Sequence, residues 1–377
     1  MKTVGIITEY NPFHNGHKRQ IEIVRDTFSK LHPDEDLAVI SLMSGNFVQR
    51  GDLALLPKEY RAMAAIKGGA DLVLELPYPY SSACAEVFAW AGVSIFSSLG
   101  VDYLVFGSES GDLTYLEDTV KNLSDPLFEE RLGARAKEAG NKAYATIRDE
   151  VYAEMFSCLP PRKANDILGV AYLAALKKME SNLKPMVVKR EGFESATASR
   201  AAAFSEKWEE LDLLVPQDSA DLLKNLSLVS MKKIETAILL RFRLAEASEF
   251  ENVADLPDGL VQRLITLSRR CQTLEELLTQ AATKVYTNAR IRRSVLSCML
   301  GVRDEQLHKE PAFSRLLGAN QKGRAFLASV DFPILARAGE YRSYGKEVQK
   351  QVAFADRADS LYALANDNLP LNKPFIV

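Results

Sequence analysis

The chain has 377 residues, of which 47% are hydrophobic and 26% are charged. This is an ordinary globular composition with enough apolar residues for a large core. The 47 Lys and Arg residues nearly balance the 50 Asp and Glu residues, and the formal net charge is −3. That balance excludes an arginine-rich tail protein but leaves room for a localised basic face.

Cysteine use and the apolar runs indicate the cellular compartment. The four cysteines stand far apart with no C-x-x-C pair, so neither a disulfide framework nor a thiolate zinc site is indicated. No apolar run reaches the length of a membrane span, and the N-terminal apolar stretch is broken by Thr8 and Glu9, unlike a signal peptide. We therefore expect a cytoplasmic protein that does not associate with membranes.

Short apolar runs alternate with helical patterns over the first hundred residues. Four runs have the pattern of buried strands, at residues 3–8, 37–43, 71–76 and 103–106. Helical patterns lie between them, at residues 16–31, 58–67 and 83–98. Apolar strands separated by helices are typical of a parallel sheet covered on both faces. The pattern predicts an α/β, Rossmann-like fold whose ligands bind at the carboxyl ends of the strands.

The remainder of the chain is predicted to be mainly helical. A fifth strand at residues 185–189 is expected to return to the sheet, and no convincing strand follows Val215. Apolar residues at i, i+3 and i+4 spacing in residues 236–247 and 274–286 favour a helical second domain. We predict an α/β domain at residues 1–215 and a helical domain at residues 216–377.

The most informative segment joins the first predicted strand to the first helix and reads GIITEYNPFHNGH over residues 5–17. His14 and His17 can face the same way at the start of the helix, and Gly16 permits close approach of a ligand. The free N–H groups and the positive dipole end of that helix favour phosphate. Two imidazoles there would donate hydrogen bonds to phosphate oxygens as charge develops on them.

An isolated H-x-G-H could equally be a pair of capping or surface histidines. The strand-turn-helix context and the N-P-F lead-in favour the functional interpretation, because several independent features coincide. No third ligand stands at metal-binding spacing near the two histidines, so we expect no metal ion held by protein side chains.

This segment resembles the H-x-G-H signature of the nucleotidyltransferase superfamily, usually G-x-F-D-P-x-H-x-G-H, with Asn11 where Asp is commoner. Those enzymes attack the α-phosphate of ATP or CTP and release pyrophosphate. A second superfamily signature, a Ser/Thr-rich turn ending in Arg that holds the triphosphate, is matched by SATASR at residues 195–200. Its hydroxyl and guanidinium groups would donate hydrogen bonds to phosphate oxygens. The resemblance implies four catalytic residues: His14, His17, Thr197 and Arg200.

Further motifs stand in the order expected for one family within that superfamily. They are SGNFVQRG at residues 44–51, DLVLELP at 71–77, FGSE at 106–109, NDILG at 165–169 and KREG at 189–192. Together they resemble the bacterial tRNA(Met) cytidine acetate ligase family. Members use ATP and acetate to form acetyl-adenylate and then acetylate N4 of the wobble cytidine of elongator tRNA(Met). Many carry a longer loop where only four residues separate Arg190 from Ser195 here.

The family resemblance implies an ATP site, with Mg²⁺ bound mainly through the ATP phosphates. The implied nucleotide contacts are Ile7, Thr8, Glu9, Tyr10, Asn11, Pro12, Phe13, His14, Asn15, Gly16, His17, Lys18, Arg19, Gln20, Gly107, Asn165 and Arg190. For acetate we predict Ser44, Asn46 and Gln49, because this polar segment follows the second strand at the ligand edge of the sheet. An ordinary polar loop, a plain turn at Gly107 and a helix cap at Asn165 are the alternatives.

A basic stretch in the second half indicates an RNA surface. Residues 283–296 contain Lys284, Arg290, Arg292 and Arg293 and no acidic residue. Contacts of such side chains with phosphates supply affinity without reading sequence, and a solvated helix face is the alternative. With the resemblance, the stretch predicts an interface for elongator tRNA(Met), while no obligate protein partner is indicated.

The predicted activity is therefore that of an ATP-dependent acetate ligase acting on tRNA. Another H-x-G-H nucleotidyltransferase, making a dinucleotide cofactor or a CDP-alcohol, would leave the helical half unexplained. A non-catalytic RNA-binding protein would have no need of His14 and His17.

Overall fold

The computed structural model describes residues 1–138, 144–190, 196–257, 259–283, 286–369, 371 and 373–377. The strands in these residues are β1 (Lys2–Thr8), β2 (Leu37–Ser44), β3 (Phe47–Val48), β4 (Asp52–Leu53), β5 (Leu72–Leu76), β6 (Tyr103–Ser108), β7 (Lys184–Lys189), β8 (Ser314–Ala319), β9 (Ile334–Leu335) and β10 (Phe375–Ile376). The helices are α1 (Asn15–Leu31), α2 (Lys58–Lys67), α3 (Ala85–Ser98), α4 (Leu113–Leu123), α5 (Pro126–Glu138), α6 (Tyr144–Phe156), α7 (Ala164–Lys178), α8 (Ala196–Phe204), α9 (Trp208–Leu214), α10 (Gln217–Asn225), α11 (Glu235–Leu244), α12 (Leu260–Ser268), α13 (Leu274–Ala281), α14 (Asn288–Leu300), α15 (Asp304–Leu307), α16 (Gln321–Leu327) and α17 (Lys346–Ala363).

A mostly parallel sheet forms the centre of the molecule. Its order is β10-β8-β5-β2-β1-β6-β7, with β9 paired to β8. β1 lies between β2 and β6 and runs parallel to both, and β5 and β7 continue the parallel part on either side. The strands β3 and β4 form a separate antiparallel pair beyond the end of β2. The predicted α/β fold is confirmed, and the loop after β1 lies at the middle of the ligand edge.

Neighbouring residues of β1 pack on opposite faces of the sheet. Ile6 belongs to the core that includes Ile21 and Val24 of α1, whereas Ile7 belongs to the core that includes Phe88 of α3 and Tyr172 of α7. Strands covered on both faces have nearly continuous apolar runs, which explains why the sequence pattern predicted β1, β2, β5 and β6. The expected fifth strand is also confirmed, as β7 beside β6.

The expectation that no strand follows Val215 is wrong. β8 joins the sheet antiparallel to β5, and β9 and β10 pair with β8. β9 and β10 have two residues each, and β8 begins Ser-Arg and contains Gly318, so none of them carries a readable apolar period. Their pairing comes from tertiary contacts. The division of the chain at residues 215 and 216 stays a prediction.

The helices α11 to α14 and α17 share a second large core. Phe242, Leu264 and Ile291 are among its buried residues, and Phe47 and Tyr78 reach it from the α/β part. The two parts therefore pack through a common apolar interior. In the described ranges no helix is long and apolar enough to cross a membrane.

Candidate active site

A cavity of about 410 Å³ opens at the carboxyl ends of β1 and β6, beside the starts of α1, α7 and α8. The candidate residues that line it are Ile7, Thr8, Glu9, Tyr10, Asn11, His14, His17, Gln20, Gln49, Gly107, Asn165, Arg190, Thr197 and Arg200. The candidates that do not line it are Pro12, Phe13, Asn15, Gly16, Lys18, Arg19, Ser44 and Asn46. The structure thus brings together the two predicted phosphate motifs, which are far apart in sequence.

The two histidines of the first motif stack at the start of α1. Their ring centroids lie 3.6 Å apart, and the His14 backbone N–H donates to His17 Nδ1 at 3.2 Å. That contact assigns the proton of neutral His17 to Nε2. His14 is only 2% exposed, and its Nδ1 has no hydrogen-bond partner in the described chain. A buried ring nitrogen without a partner is expected to meet a ligand.

Both histidines are neutral near pH 7. Burial, together with the charges of Arg190 and Arg200, lowers the pKa of His14 to about 3. Burial also lowers the pKa of His17 well below its ordinary value, with smaller effects from His14 and Arg190. Each ring therefore has one N–H donor and one acceptor nitrogen. The arginines supply the positive charge of the cavity, and the imidazoles supply directed donors.

The second motif reaches the first through Arg200 of α8. Its Nη1 donates to the Asn11 carbonyl oxygen at 2.7 Å, and its Nη2 donates to Thr197 Oγ1 at 3.2 Å. The Asn11 side chain serves a different purpose, since its Oδ1 accepts the Leu55 N–H at 2.7 Å. Ser195, the first residue of the predicted motif, lies outside the described residues, as do residues 191–194 of the short loop.

Arg190 and Asn165 face the cavity from the β6 side. A Cβ added to Gly107 would lie 3.1 Å from Arg190 Cδ, so the arginine packs closely over this glycine and would have to shift to admit a side chain. Asn165 Nδ2 donates to Glu109 Oε1 at 2.6 Å, and Glu109 Oε2 accepts the Asp166 N–H at 3.0 Å. The side chain of Glu109 thus caps the start of α7. The sequence pattern made Asn165 a candidate for this capping role.

The three acetate candidates separate in the structure. Gln49 lines the cavity. Asn46 instead donates from Nδ2 to Asp359 Oδ1 at 2.9 Å and accepts the Lys58 N–H at 3.0 Å. Ser44 is fully buried. The carboxyl end of β2 therefore carries its polar residues partly toward the cavity and partly toward α17.

Arg61 organises the cavity from behind and was missed by sequence reasoning. This buried side chain of α2 donates to the carbonyl oxygens of Leu56 at 2.9 Å, Glu9 at 2.6 Å and Ser44 at 3.1 Å, and also to that of Gly45. It therefore ties the end of β1 to the end of β2. A single arginine in a short amphipathic helix gives no signal of such a role.

An apolar wall completes the cavity. It is formed by Phe88, Phe106, Leu168 and Tyr172. Tyr172 is buried, and its hydroxyl has no hydrogen-bond partner in the part of the chain that the structure describes. These residues have the pattern of core positions in α3, β6 and α7, so sequence alone could not place them at a ligand.

The basic stretch lies beside the mouth of the cavity and is largely paired. Arg292 Nη1 lies 2.6 Å from Oδ2 of Asp52, which lines the cavity. Arg293 Nε lies 2.8 Å from Asp255 Oδ2, and Arg290 Nε lies 3.6 Å from the other oxygen of the same carboxylate. Lys284, the fourth predicted tRNA contact, lies outside the described residues.

Comparison with known proteins agrees with this geometry. A family model described as HIGH Nucleotidyl Transferase matches residues 1–373, which defines the class. The chain is 30% identical, over 98% of its length, to a tRNA(Met) cytidine acetate ligase of Thermoanaerobacter sp. (strain X514), and 31% identical, over 100% of its length, to one of Clostridium perfringens. These alignments cover 96% and 98% of the two relatives. The chain therefore belongs to the tRNA(Met) cytidine acetate ligase family, as its motifs predicted.

A solved structure matches the whole fold. The crystal structure of Thermotoga maritima TmcAL bound with alpha-thio ATP has a TM-score of 0.89 and 29% sequence identity, and the match covers 100% of both chains. The described residues of our structure contain no group of three or more His, Cys, Asp or Glu side chains that could hold a metal ion.

Proposed function

We propose that this protein is an ATP-dependent acetate ligase that forms acetyl-adenylate and acetylates N4 of the wobble cytidine of elongator tRNA(Met). The observation that carries the proposal is the convergence of two neutral imidazoles and two arginines on one cavity at the end of β1. The names of the relatives and the ATP analogue bound to the Thermotoga protein support it.

In the first step an acetate oxygen attacks the α-phosphorus of ATP, and pyrophosphate leaves. Negative charge grows on the phosphate oxygens, and His17 Nε2–H and the His14 ring are the donors placed to stabilise it. Arg200 and Thr197 hold the outer phosphates, while Arg190 adds charge on the nucleotide side. Because both substrates are anions, this positive surrounding is what allows them to meet.

Mg²⁺ enters this proposal through the nucleotide. Among the described residues, the carboxylates that line the cavity are Glu9 and Asp52, and Asp52 is paired with Arg292. The described residues offer no cluster of metal ligands there, so the ion would be bound by phosphate oxygens and we derive no step through it.

In the second step the cytidine N4 attacks the acetyl carbonyl carbon and AMP leaves. The exocyclic N4 is conjugated into its ring and is a poor nucleophile, which is why the acetate is first activated as a mixed anhydride. The apolar wall of the cavity limits the access of water to that anhydride. The cytidine must leave its stack to reach it.

The two halves of the chain divide this work. Residues 1–215 bind ATP and acetate, and residues 216–377 supply most of the tRNA surface in the cytoplasm. Arg290 is the most exposed of the three described arginines of the basic stretch, at 41%. Arg50 is exposed on the rim of the same cavity. These positions suit phosphate contacts beside the entrance.

Labelled acetate tests the activity directly. The protein is incubated with ATP and labelled acetate, with and without tRNA(Met). We expect acetyl-adenylate and pyrophosphate without tRNA, and label on cytidine when tRNA is added. Turnover of nicotinamide or pantetheine phosphates with unlabelled RNA would instead indicate another nucleotidyltransferase. Binding of tRNA without release of pyrophosphate would indicate a non-catalytic protein.

Two substitutions of His17 test the role of its Nε2–H. His17→Gln can place an amide N–H near the Nε2 position, whereas His17→Asn keeps only a group near Nδ1, which accepts the His14 N–H. We expect His17→Asn to slow acetate-dependent pyrophosphate exchange by about 100-fold or more, with a smaller loss in His17→Gln. Both should bind tRNA normally, and an equal loss of exchange and tRNA binding would mean that the residue is structural.

A further inference from the structure

The cavity contains one carboxylate to which the proposed adenylation chemistry assigns no proton or bond. Glu9 follows the end of β1 directly and lines the cavity, where it is half-buried. Its Oε1 accepts the Gln49 N–H at 2.9 Å, and its backbone carbonyl oxygen accepts from Arg61 at 2.6 Å. Among the described residues no cation lies within ion-pair distance of this carboxylate. One oxygen is therefore fixed by the protein while the other is left for a ligand.

A lone carboxylate is unusual beside two anionic substrates, because it repels both. The other cavity carboxylate, Asp52, forms an ion pair with Arg292. Glu109, at the end of β6, is committed to the start of α7. Glu9 is the member of this group that keeps a free oxygen inside the cavity.

The segment between β3 and β4, whose Gln49 N–H binds the Glu9 carboxylate, also lies beside the proposed RNA entrance. Gln49 lies between β3 and β4, next to the exposed Arg50, and Asp52 at the start of β4 contacts α14 through Arg292. Arg200, at the start of α8, is assigned to the phosphates, and its charge acts on Glu9 as well. Glu9 thus lines the cavity that contains both phosphate motifs and also contacts the segment that is linked to α14.

We infer that Glu9 is the general base of the acetyl-transfer step and accepts the proton of the cytidine N4. The inference rests on the proposed function. As the bond from N4 to the acetyl carbonyl carbon forms, the bond from that carbon to the phosphate oxygen breaks. AMP leaves with that electron pair, and the N4 proton moves to the free carboxylate oxygen of Glu9. No further reactant is needed.

The two histidines of the cavity are poorer bases. His17 Nδ1 is occupied by the His14 N–H, and burial holds the pKa of both histidines low. Burial raises the pKa of Glu9, although the Gln49 N–H and the charges of Arg200, Arg50 and Arg61 oppose this. A carboxylate with a raised pKa is a better proton acceptor than an ordinary one.

The test separates the two half-reactions. Acetyl-adenylate is first formed on the enzyme from ATP and acetate, and tRNA(Met) is then added and single-turnover transfer is followed. Glu9→Gln keeps an oxygen to accept the Gln49 N–H but cannot take a proton. We expect transfer to slow by about 100-fold or more, at least about tenfold more than acetate-dependent pyrophosphate exchange slows, while tRNA binding changes by less than about threefold.

Two further variants complete the design. Glu9→Asp keeps a carboxylate, one methylene shorter, and should recover part of the transfer rate lost in Glu9→Gln. Glu59→Gln neutralises a carboxylate of α2 that does not line the cavity and should transfer at the wild-type rate.

Each outcome decides the question. Transfer by Glu9→Gln at the wild-type rate would overturn the role of Glu9 as base. Loss of exchange and transfer to the same extent would also overturn it and would assign Glu9 to the binding of ATP. Wild-type protein that forms acetyl-adenylate but never acetylates tRNA would overturn the proposed function itself.

Discussion

The guanidinium of Arg200 donates a hydrogen bond to the main-chain carbonyl oxygen of Asn11, 189 residues earlier in the chain, at 2.7 Å. A second bond from the same guanidinium reaches Thr197 Oγ1. The planar fork of the arginine is thereby oriented before any nucleotide arrives. This contact joins the turn before α1 to the first turns of α8. It thereby brings the H-x-G-H segment and the Ser/Thr-Arg motif, which are distant in sequence, into one site.

Arg200→Lys should raise the KM for ATP strongly and lower the free energy of unfolding only slightly. A lysine ammonium is a single point donor and cannot bridge Asn11 and Thr197 while facing a phosphate. We expect the KM for ATP in pyrophosphate exchange to rise about tenfold, and the free energy of unfolding to fall by about 1 kcal/mol. The matched variant Arg241→Lys changes an arginine of α11 that pairs with Glu249 and should leave the KM unchanged. An unaltered KM in Arg200→Lys would contradict the role given to the fork.

The buried histidines should make the protein sensitive to mild acid. The pKa of His14 is about 3 in the folded chain, against an ordinary value of 6.5. Between these values the unfolded chain binds a proton that the native chain does not, so the free energy of unfolding falls as the pH falls. The expected slope is about 1.4 kcal/mol per pH unit for this group. Urea unfolding at pH 7, 6 and 5 measures it. His14→Gln should show a shallower dependence, and an identical one would refute the assignment.

A buried ion network should contribute strongly to stability. Lys58 Nζ lies 2.8 Å from Glu75 Oε1 and 2.6 Å from Asp359 Oδ2, and it joins α2 to β5 and α17. Arg315 contacts both carboxylates, at 3.4 and 3.0 Å. Lys58→Met would leave these carboxylates with one cation in place of two. We expect the free energy of unfolding, measured in urea, to fall by about 3 kcal/mol.

An exposed ion pair of the same helix is the control. Lys67 of α2 lies 2.7 Å from Asp218, with side-chain exposures of 44% and 46%. Water screens such a pair, so Lys67→Met should cost less than about 1 kcal/mol. Equal losses in Lys58→Met and Lys67→Met would show that burial of the network has no stabilising effect.

The arginines of α14 should separate into an RNA contact and a structural residue. Arg290 is 41% exposed and holds Asp255 only at 3.6 Å, whereas Arg293 is 14% exposed and holds the same residue at 2.8 Å. Arg290→Gln should weaken tRNA binding and reduce its salt slope by about one, with stability unchanged. Arg293→Gln should instead lower the free energy of unfolding by about 2 kcal/mol. Titrations of tRNA at several salt concentrations and urea unfolding test both. The reverse pattern would remove Arg290 from the proposed interface.

Much of the site could be read from local sequence. β1, β2, β5 and β6 are buried on both faces and therefore have nearly continuous apolar runs. The H-x-G-H segment follows such a strand, and parallel strands present their carboxyl ends along one edge, so the position of His14 and His17 at a ligand site could be expected. The family assignment followed from the order of several short motifs, and comparison with known proteins confirmed it.

Other features depend on contacts that no local pattern contains. The strand β8 exists because β5 offers an open edge, and Asn46 points to α17 because Asp359 and Lys58 engage its amide. That Glu9 has no ion-pair partner among the described residues could be seen only from the tertiary structure.

The sequence by itself determined the order of the first strands and helices, the phosphate-binding character of the turn after β1, and the family. Only the tertiary structure decided which polar residues face the cavity and which form hydrogen bonds or ion pairs with other side chains of the protein. The physical reason is the sequence separation over which each effect acts. Periodicity and turn chemistry act over a few residues, whereas burial and charge pairing are set by side chains that the fold brings together from positions hundreds of residues apart.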